Sequence, residues 1–333
     1  MADPFASDRA HGQPTFSVLI AAYEAAGTIG EAVASALDQD PPPLEVIVGD
    51  DGSTDDLNGA LASFEDAVRR VRIEHAGEAA AKNAAAAVAT GDFLAFLDAD
   101  DRFLPGRLAA LASLVTARPD LDAFTTDAYL TYRGRIEGRA YGAGFEFARE
   151  DQRSAILRTN FILGLSAVRR SRFEEVGGFD TRIAYTTDWD LWIRLIFSGS
   201  AVGFIPEPLA EYRLHPGSMS ARRAAMSRGR LQTLAAAAAR SDLTAGERAI
   251  VEESRTREEA RLVRATLREA LVERRARDTR RSAVRLAVSP GLTGGERLRA
   301  AAALVAPRLV GRWLRAEDDR WFATVGDRRL PRR

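Results

Sequence analysis

Carboxylates carry most of the chemistry this sequence could perform. After the apolar run Leu44-Glu45-Val46-Ile47-Val48-Gly49 stands Asp50-Asp51-Gly52-Ser53-Thr54-Asp55. Two adjacent carboxylates can accept hydrogen bonds from a nucleobase N–H or from ribose hydroxyls, and Gly52 lets the backbone turn closely. Ser53, Thr54 or Asp55 can equally cap the next helix, so this motif alone leaves both readings open. After a later apolar run comes Asp98-Ala99-Asp100-Asp101. Three carboxylates in four positions repel one another unless a cation or solvent separates them. A hard divalent cation such as Mg²⁺ takes oxygen ligands and bridges one or two carboxylates to substrate phosphates. Asp98 and Asp100, two apart on an extended segment, can face the same way. Asp101 reads as the acidic start of the helix that follows, where the dipole favours an anion.

Two further segments are candidates. Thr187-Asp188-Trp189-Asp190-Leu191-Trp192 places two acids at a predicted helix start, where they complement the dipole; a carboxylate walled by Trp can also act as a general base. Tyr212-Arg213-Leu214-His215-Pro216-Gly217-Ser218-Met219-Ser220 sets a cation, an imidazole and two hydroxyls on a Pro/Gly loop. Such a loop can hold a diphosphate and a metal, or present ordinary surface residues.

These segments need elements to position them. Residues 16–21, 44–49, 71–75, 93–97 and 121–126 read as short apolar strands. Residues 28–38, 54–70, 78–90 and 104–117 read as helices between them. Strands that are apolar throughout and alternate with helices predict a parallel sheet covered on both faces, with the acidic motifs at the carboxyl ends of strands, where ligands bind in open α/β sheets. After residue 127 the rhythm changes. Residues 129–147 predict a hairpin or flap, and 150–159 and 186–198 predict helices, the latter burying Trp189, Trp192 or Ile193, and Ile196. From about residue 220 the chain is Ala/Arg-rich and helical, divided at Pro290-Gly291. Capping boxes are expected at Thr244–Glu247 and Thr293–Glu296.

Composition removes several classes. The 333 residues are 46% hydrophobic and 28% charged, a globular balance rather than a disordered one. There is no Cys, which excludes disulfides, thiolate metal sites and a catalytic cysteine. No secretory signal or membrane-spanning stretch is evident, so the cytoplasm is the expected compartment. The net charge of zero conceals a division: residues 1–220 hold 20 basic and 33 acidic residues, and 221–333 hold 27 and 14. Such asymmetry separates two jobs. Lys82 is the only lysine; it reads as a solvated helix residue or, as the one lysine in a chain that otherwise uses Arg, as a specific ligand contact. A P-loop is absent, and no recognition motif for nucleic acid accompanies the basic charge.

Taken in order, the runs 16–39, 46–56, 81–101, 176–195 and 212–220 resemble the family 2 glycosyltransferases of the type-A nucleotide-sugar fold. The resemblance covers residues 16–220. It implies a Rossmann-like α/β fold with a mostly parallel central sheet, here followed by a C-terminal helical extension. It divides the chain into a flexible lead (1–14), a catalytic domain (15–220) and a basic helical region (221–333). It implies a metal-dependent, inverting transferase acting on a nucleotide-diphosphate sugar and a saccharide or lipid-linked acceptor, in cell-surface polysaccharide or glycolipid assembly. The alternative is a degenerate, sugar-nucleotide-binding scaffold subunit.

By the same resemblance, Tyr23, Asp50 and Asp51 line the base and ribose, Glu24 stands where the family often has Asn, and Lys82 where it usually has Arg. Asp98 and Asp100 form the Asp-x-Asp motif for Mg²⁺ or Mn²⁺, with Asp98 also toward the nucleotide. His215, counted among the metal ligands, and Arg213 close over the diphosphate or metal from the C-terminal side. Asp188 is the general base, with Arg213, Trp189 and Asp190 on the diphosphate or acceptor side. Gln-x-x-Arg-Trp, typical of processive synthases, is missing, which favours single addition. Residues 296–315 present Leu298, Ala301, Leu304, Val305, Leu309 and Trp313 on one helical face flanked by Arg. That face suits an anionic membrane surface on the inner side, packing on the acidic domain, or a homodimer.

Overall fold

The structure is a computed structural model; it describes residues 12–142, 145–215, 222–272, 276–288, 301–310 and 312. The chain divides into two units. One comprises residues 1–131, 138–182 and 187–214; the other comprises 132–137, 183–186 and 215–333.

The first unit is built on strands β1 (Phe16–Ala22), β2 (Glu45–Asp50), β3 (Val68–Arg72) and β4 (Phe93–Asp98). They pair in parallel in the order β3-β2-β1-β4. Val18, Leu19, Ile20, Val46, Ile47, Val48, Leu94 and Leu97 are all buried, as expected of strands covered on both faces. Helix α1 (Ile29–Leu37) buries Ile29, Ala32, Val33 and Ala36. The helix expected over 54–70 is much shorter: α2 (Leu57–Leu61) and a single 3-10 turn, Ala62–Phe64. The strand expected at 71–75 starts earlier, because Val68–Arg72 pairs with Val46–Asp50. That tertiary pairing outweighs the helical spacing of Phe64 and Val68. Helix α3 (Glu78–Ala86) lies directly on β2: a Cβ on Gly49 would stand 2.3 Å from the Ala81 carbonyl oxygen, so only glycine admits this approach.

Beyond β4 the sheet departs from the expected parallel pattern. β5 (Arg102–Phe103) precedes α4 (Arg107–Ala117), and β6 (Ala123–Tyr132) turns through Arg133 and Gly134, both at positive φ, into β7 (Arg135–Arg139). This is the expected hairpin. After α5 (Gln152–Arg158), a three-residue strand β8 (Ala167–Arg169) slots antiparallel between β4 and β6. Helices α6 (Arg170–Glu175) and α7 (Thr187–Phe197) follow. Then β9 (Val202–Arg213) pairs in parallel with β6 through register shifts and antiparallel with β5. The sheet is therefore mixed, in the order β3-β2-β1-β4-β8-β6-β9-β5. β8 is too short to show periodicity, and Pro206 and Pro208 disguise β9.

The second unit contains α8 (Arg223–Ala238), α9 (Ala245–Val272) and α10 (Ala276–Val288). The capping box at the start of α9 forms: Glu247 accepts from Thr244 N at 2.8 Å, and Glu247 N donates to Thr244 Oγ1 at 3.2 Å. Gly229 lets α8 meet the 183–186 segment, since a Cβ there would stand 2.2 Å from the Ala184 carbonyl. Ala303 and Val310 pack on Leu267, Leu271 and Ala283, while Leu304, Val305 and Leu309 are exposed. The second capping box, Pro290-Gly291, Leu298 and Trp313 lie outside the described residues.

Candidate active site

Strand register brings the acidic motifs to one end of the sheet. Ala22 of β1 pairs with Asp50, and Ala21 with Asp98, so the two carboxylate-bearing strand ends flank the end of β1. Tyr23 follows immediately, 49% exposed, and stacks on His75 with ring centroids 4.1 Å apart.

The first motif is fully engaged. Asp50 is buried and ion-paired to Arg70 and, at 2.7 Å, to Arg72, and it accepts from Ser53 N at 2.9 Å. Burial opposes its ionised form, but Arg70 and Ser53 outweigh that and hold the carboxyl below its ordinary range. Asp51 is also buried. It accepts from Ala76 N at 2.7 Å and Gly77 N at 2.9 Å, and pairs with His75 Nδ1 at 2.9 Å. It shapes the turn between β3 and α3, and Gly52, at positive φ, lies against that turn with no room for a Cβ beside His75 N. Glu24, itself at φ +50, turns to Thr54, accepting from its N at 2.7 Å and its hydroxyl at 2.8 Å. Those two donors from Thr54 hold its carboxyl below the ordinary value.

Asp98 ends β4 and accepts from the Lys82 ammonium at 2.9 Å; Lys82 also pairs with Glu78, one turn earlier on α3. Lys82 is buried. Burial alone would lower its pKa, but the two carboxylates reverse this and it titrates above its ordinary value. The sole lysine is thus a buried ion-pair residue rather than a solvated helix residue. Asp101 does not start a helix; α4 begins only at Arg107. It is buried, accepts from Arg213 N at 2.8 Å through Oδ1, and among the described residues has no hydrogen-bond partner on Oδ2. Burial, then the neighbouring charges of Asp98 and Asp100, push its carboxyl well above the usual range. Arg213 donates Nε to the Asp100 carbonyl and Nη1 to Glu31 at 2.7 Å.

Asp188 sits in the first turn of α7. Its Oδ1 accepts from Trp189 N at 2.8 Å and its Oδ2 from Asn160 Nδ2 at 2.9 Å. Desolvation is the main cause that raises its pKa to about 6; Lys82 opposes the shift, and Glu78 and Asp98 add to it. Asp188 therefore shares an electrostatic neighbourhood with Lys82, Glu78 and Asp98. Trp189 is buried and donates its indole N–H to the Ile156 carbonyl at 2.7 Å; Asp190 is buried and pairs with Arg194 at 2.7 Å. The helical twist turns both into the protein, away from the face that carries Asp188. His215 belongs to the second unit and is exposed. Residues 216–220 of the expected loop lie outside the described residues.

Among the described residues no three His, Asp or Glu side chains are gathered so as to hold a metal by themselves. The donor set fits a cation that takes only one or two protein carboxylates: Asp98, Asp100 and Asp101 are hard oxygen donors, mutually repelling, with one buried oxygen unsatisfied.

Sequence reading missed Asn83, Glu78, His75 and Asn160. Asn83 clamps the loop before α7 reciprocally: it donates to the Phe179 carbonyl at 2.8 Å and accepts from Phe179 N at 2.9 Å. Glu78 and Asn83 both stand on α3 beside Lys82, at i−4 and i+1, which was the available signal. His75 and Asn160 had none beyond their residue types.

The model for glycosyl transferase family 2 matches residues 17–177. The protein TuaG of Bacillus subtilis (strain 168), whose name assigns it as a glycosyltransferase to teichuronic acid biosynthesis, is 30% identical over 216 residues, 63% of this chain and 83% of TuaG. The chain belongs to glycosyltransferase family 2. The glycosyltransferase also resembles solved structures. One is Staphylococcus aureus TarS 1–349 in complex with UDP-GlcNAc, with TM-score 0.60 and 17% identity over 94% of this chain and 90% of that one. Another is the mannosyltransferase PcManGT of Pyrobaculum calidifontis in complex with GDP-Man and Mn²⁺, with TM-score 0.58 and 20% identity over 96% and 89%. At such identities the likeness shows the fold alone: the type-A glycosyltransferase fold.

Proposed function

We propose that this glycosyltransferase moves a sugar from a nucleotide-diphosphate donor to an acceptor hydroxyl, with inversion, in polysaccharide or glycolipid assembly. The observation that carries this is the grouping of Asp98, Lys82 and Asp188 at the carboxyl end of the sheet, with Asp188 raised to about 6. A carboxylate with that affinity is ionised at neutral pH yet basic enough to take a proton from a hydroxyl as it attacks. The acceptor oxygen bonds to the anomeric carbon, the carbon–oxygen bond to the diphosphate breaks, Asp188 keeps the proton, and the nucleoside diphosphate departs.

The exposed Tyr23 face and the Asp50-Asp51 turn are proposed to hold the base and ribose. Lys82 and Arg213 are proposed on the diphosphate side. Asp98 and Asp100 would hold Mg²⁺ or Mn²⁺, which would supply charge neutralisation at the leaving diphosphate. The names of TuaG, TarS and PcManGT support this reading through their assigned pathway, UDP-GlcNAc, and GDP-Man with Mn²⁺.

The basic helical region is proposed to meet an anionic membrane surface carrying a lipid-linked acceptor, or to pair two copies. Val305 is 87% exposed, and Leu309 is exposed beside Arg308. Among the described residues no helix is long and apolar enough to cross a membrane.

A thermal-shift and hydrolysis screen of UDP-, GDP- and dTDP-sugars tests the donor reading, with Mn²⁺, Mg²⁺ or chelator. A metal-dependent shift for one nucleotide, with slow release of the nucleoside diphosphate, is the expected result. No shift with any of them would favour a scaffold subunit.

A further inference from the structure

Among the described residues, one side chain from outside its own helix holds the Asp188 carboxylate, and that side chain stands on a segment with buried anchors of its own. Asn160 donates Nδ2 to Asp188 Oδ2 at 2.9 Å and accepts from Ile162 N at 3.1 Å, which fixes its amide so that its NH₂ faces the carboxylate. The segment from Asn160 to Ser166 has its own buried anchors. Tyr141 donates its hydroxyl to the Phe161 carbonyl at 2.9 Å and accepts from Leu163 N at 3.3 Å. Ser166 Oγ donates to the Leu163 carbonyl at 2.6 Å, and the fully buried Arg107 donates to the Leu165 carbonyl. Phe161, Ile162 and Leu165 are buried. Burying an arginine against a backbone carbonyl and a threonine hydroxyl is costly, which argues that the position of this segment matters.

We propose that Asn160 is a positioning residue for the proton-accepting carboxylate of Asp188, aiming its oxygens and favouring its ionised form. This rests on the assignment of Asp188 as the base. A donor on a carboxylate stabilises the anion, and a neutral amide does so without adding a competing charge. The charged groups that act most strongly on Asp188 are Lys82 and Glu78 of α3 and Asp98 of β4, and all three are left in place in the test.

The test is a carboxyl-carbon NMR titration of the full chain labelled at Asp, with the Asp188 resonance assigned by its loss in Asp188→Asn. In Asn160→Ala the midpoint is expected to move upward by about one pH unit from the parent. In the isosteric Asn160→Asp, a second carboxylate should move it further still. The same variants are assayed for release of nucleoside diphosphate from the sugar nucleotide selected by the screen. Asn160→Ala should lower kcat about tenfold or more with donor KM nearly unchanged, and shift the acid limb upward in parallel. An unchanged Asp188 midpoint in both variants would overturn the inference, whatever happens to activity. If instead Asp188→Asn retains full transfer, the base assignment fails and this inference fails with it. If Asp188→Asn is inactive while both Asn160 variants titrate as the parent does, only the role of Asn160 is lost.

Discussion

Lys82 Nζ lies 2.9 Å from Asp98 Oδ1, joining the middle of α3 to the end of β4. The pair puts a buried cation beneath the carboxylate that the proposed metal and diphosphate would share, and within reach of Asp188. Replacing Lys82 by Met removes the one neighbour that lowers the pKa of Asp188 among those acting on it by charge. The acid limb of the rate profile should therefore move to higher pH, and Lys82→Arg should restore most of it. Stability should fall by about 1–3 kcal/mol, less than for a wholly buried pair because both carboxylates keep some solvent.

Asp188 is expected to show the conflict between function and stability. Its folded pKa of about 6 is above the ordinary carboxyl value, so the folded state binds more protons between roughly pH 4 and 6. Stability contributed by this group is present below that window and is lost as pH rises through it. At pH 7.5 the ionised group is a liability, and Asp188→Asn should raise Tm while reducing kcat roughly 100- to 10,000-fold. Calorimetry at pH 4.5 and 7.5, beside rate profiles, checks both halves.

Asp100→Asn should abolish the Mn²⁺-dependent thermal shift with nucleotide and reduce transfer strongly, with circular dichroism unchanged. The reason is the loss of a hard oxygen charge next to the unsatisfied oxygen of Asp101. A chelator should reproduce the loss in the unmodified protein, and Mn²⁺ should reverse it. Full activity in the presence of chelator would remove the metal from the mechanism.

Asn83→Ala should cost about 1–3 kcal/mol, because it leaves both the Phe179 carbonyl and its N–H without their partner. Hydrogen exchange at the Phe179 amide should accelerate by more than that of the β1 amides. An unaltered Phe179 amide would mean that the loop is held by its Phe96 and Phe173 ring contacts alone.

The parallel half of the sheet and the acidic strand ends were legible in the chain itself. Runs apolar on both faces, such as Val18-Leu19-Ile20 and Val46-Ile47-Val48, have few folds open to them, and a carboxylate at the end of such a run must emerge at the sheet edge. The family resemblance added the expected roles of those carboxylates. Local pattern also set the Thr244–Glu247 cap and the buried face of α7. What the chain did not disclose are relationships between residues far apart. The Asp101–Arg213 bond spans 112 positions and the Asn83–Phe179 clamp 96; Asn160 meets Asp188 across 28. Each depends on β8 inserting antiparallel between β4 and β6 and on β9 returning beside them. Hydrophobic period reports which face of an element is buried, but not which element buries it. Tertiary structure alone therefore decided that Asp190 turns inward, that Asp101 is a buried acid rather than a helix start, and that the one lysine answers Asp98.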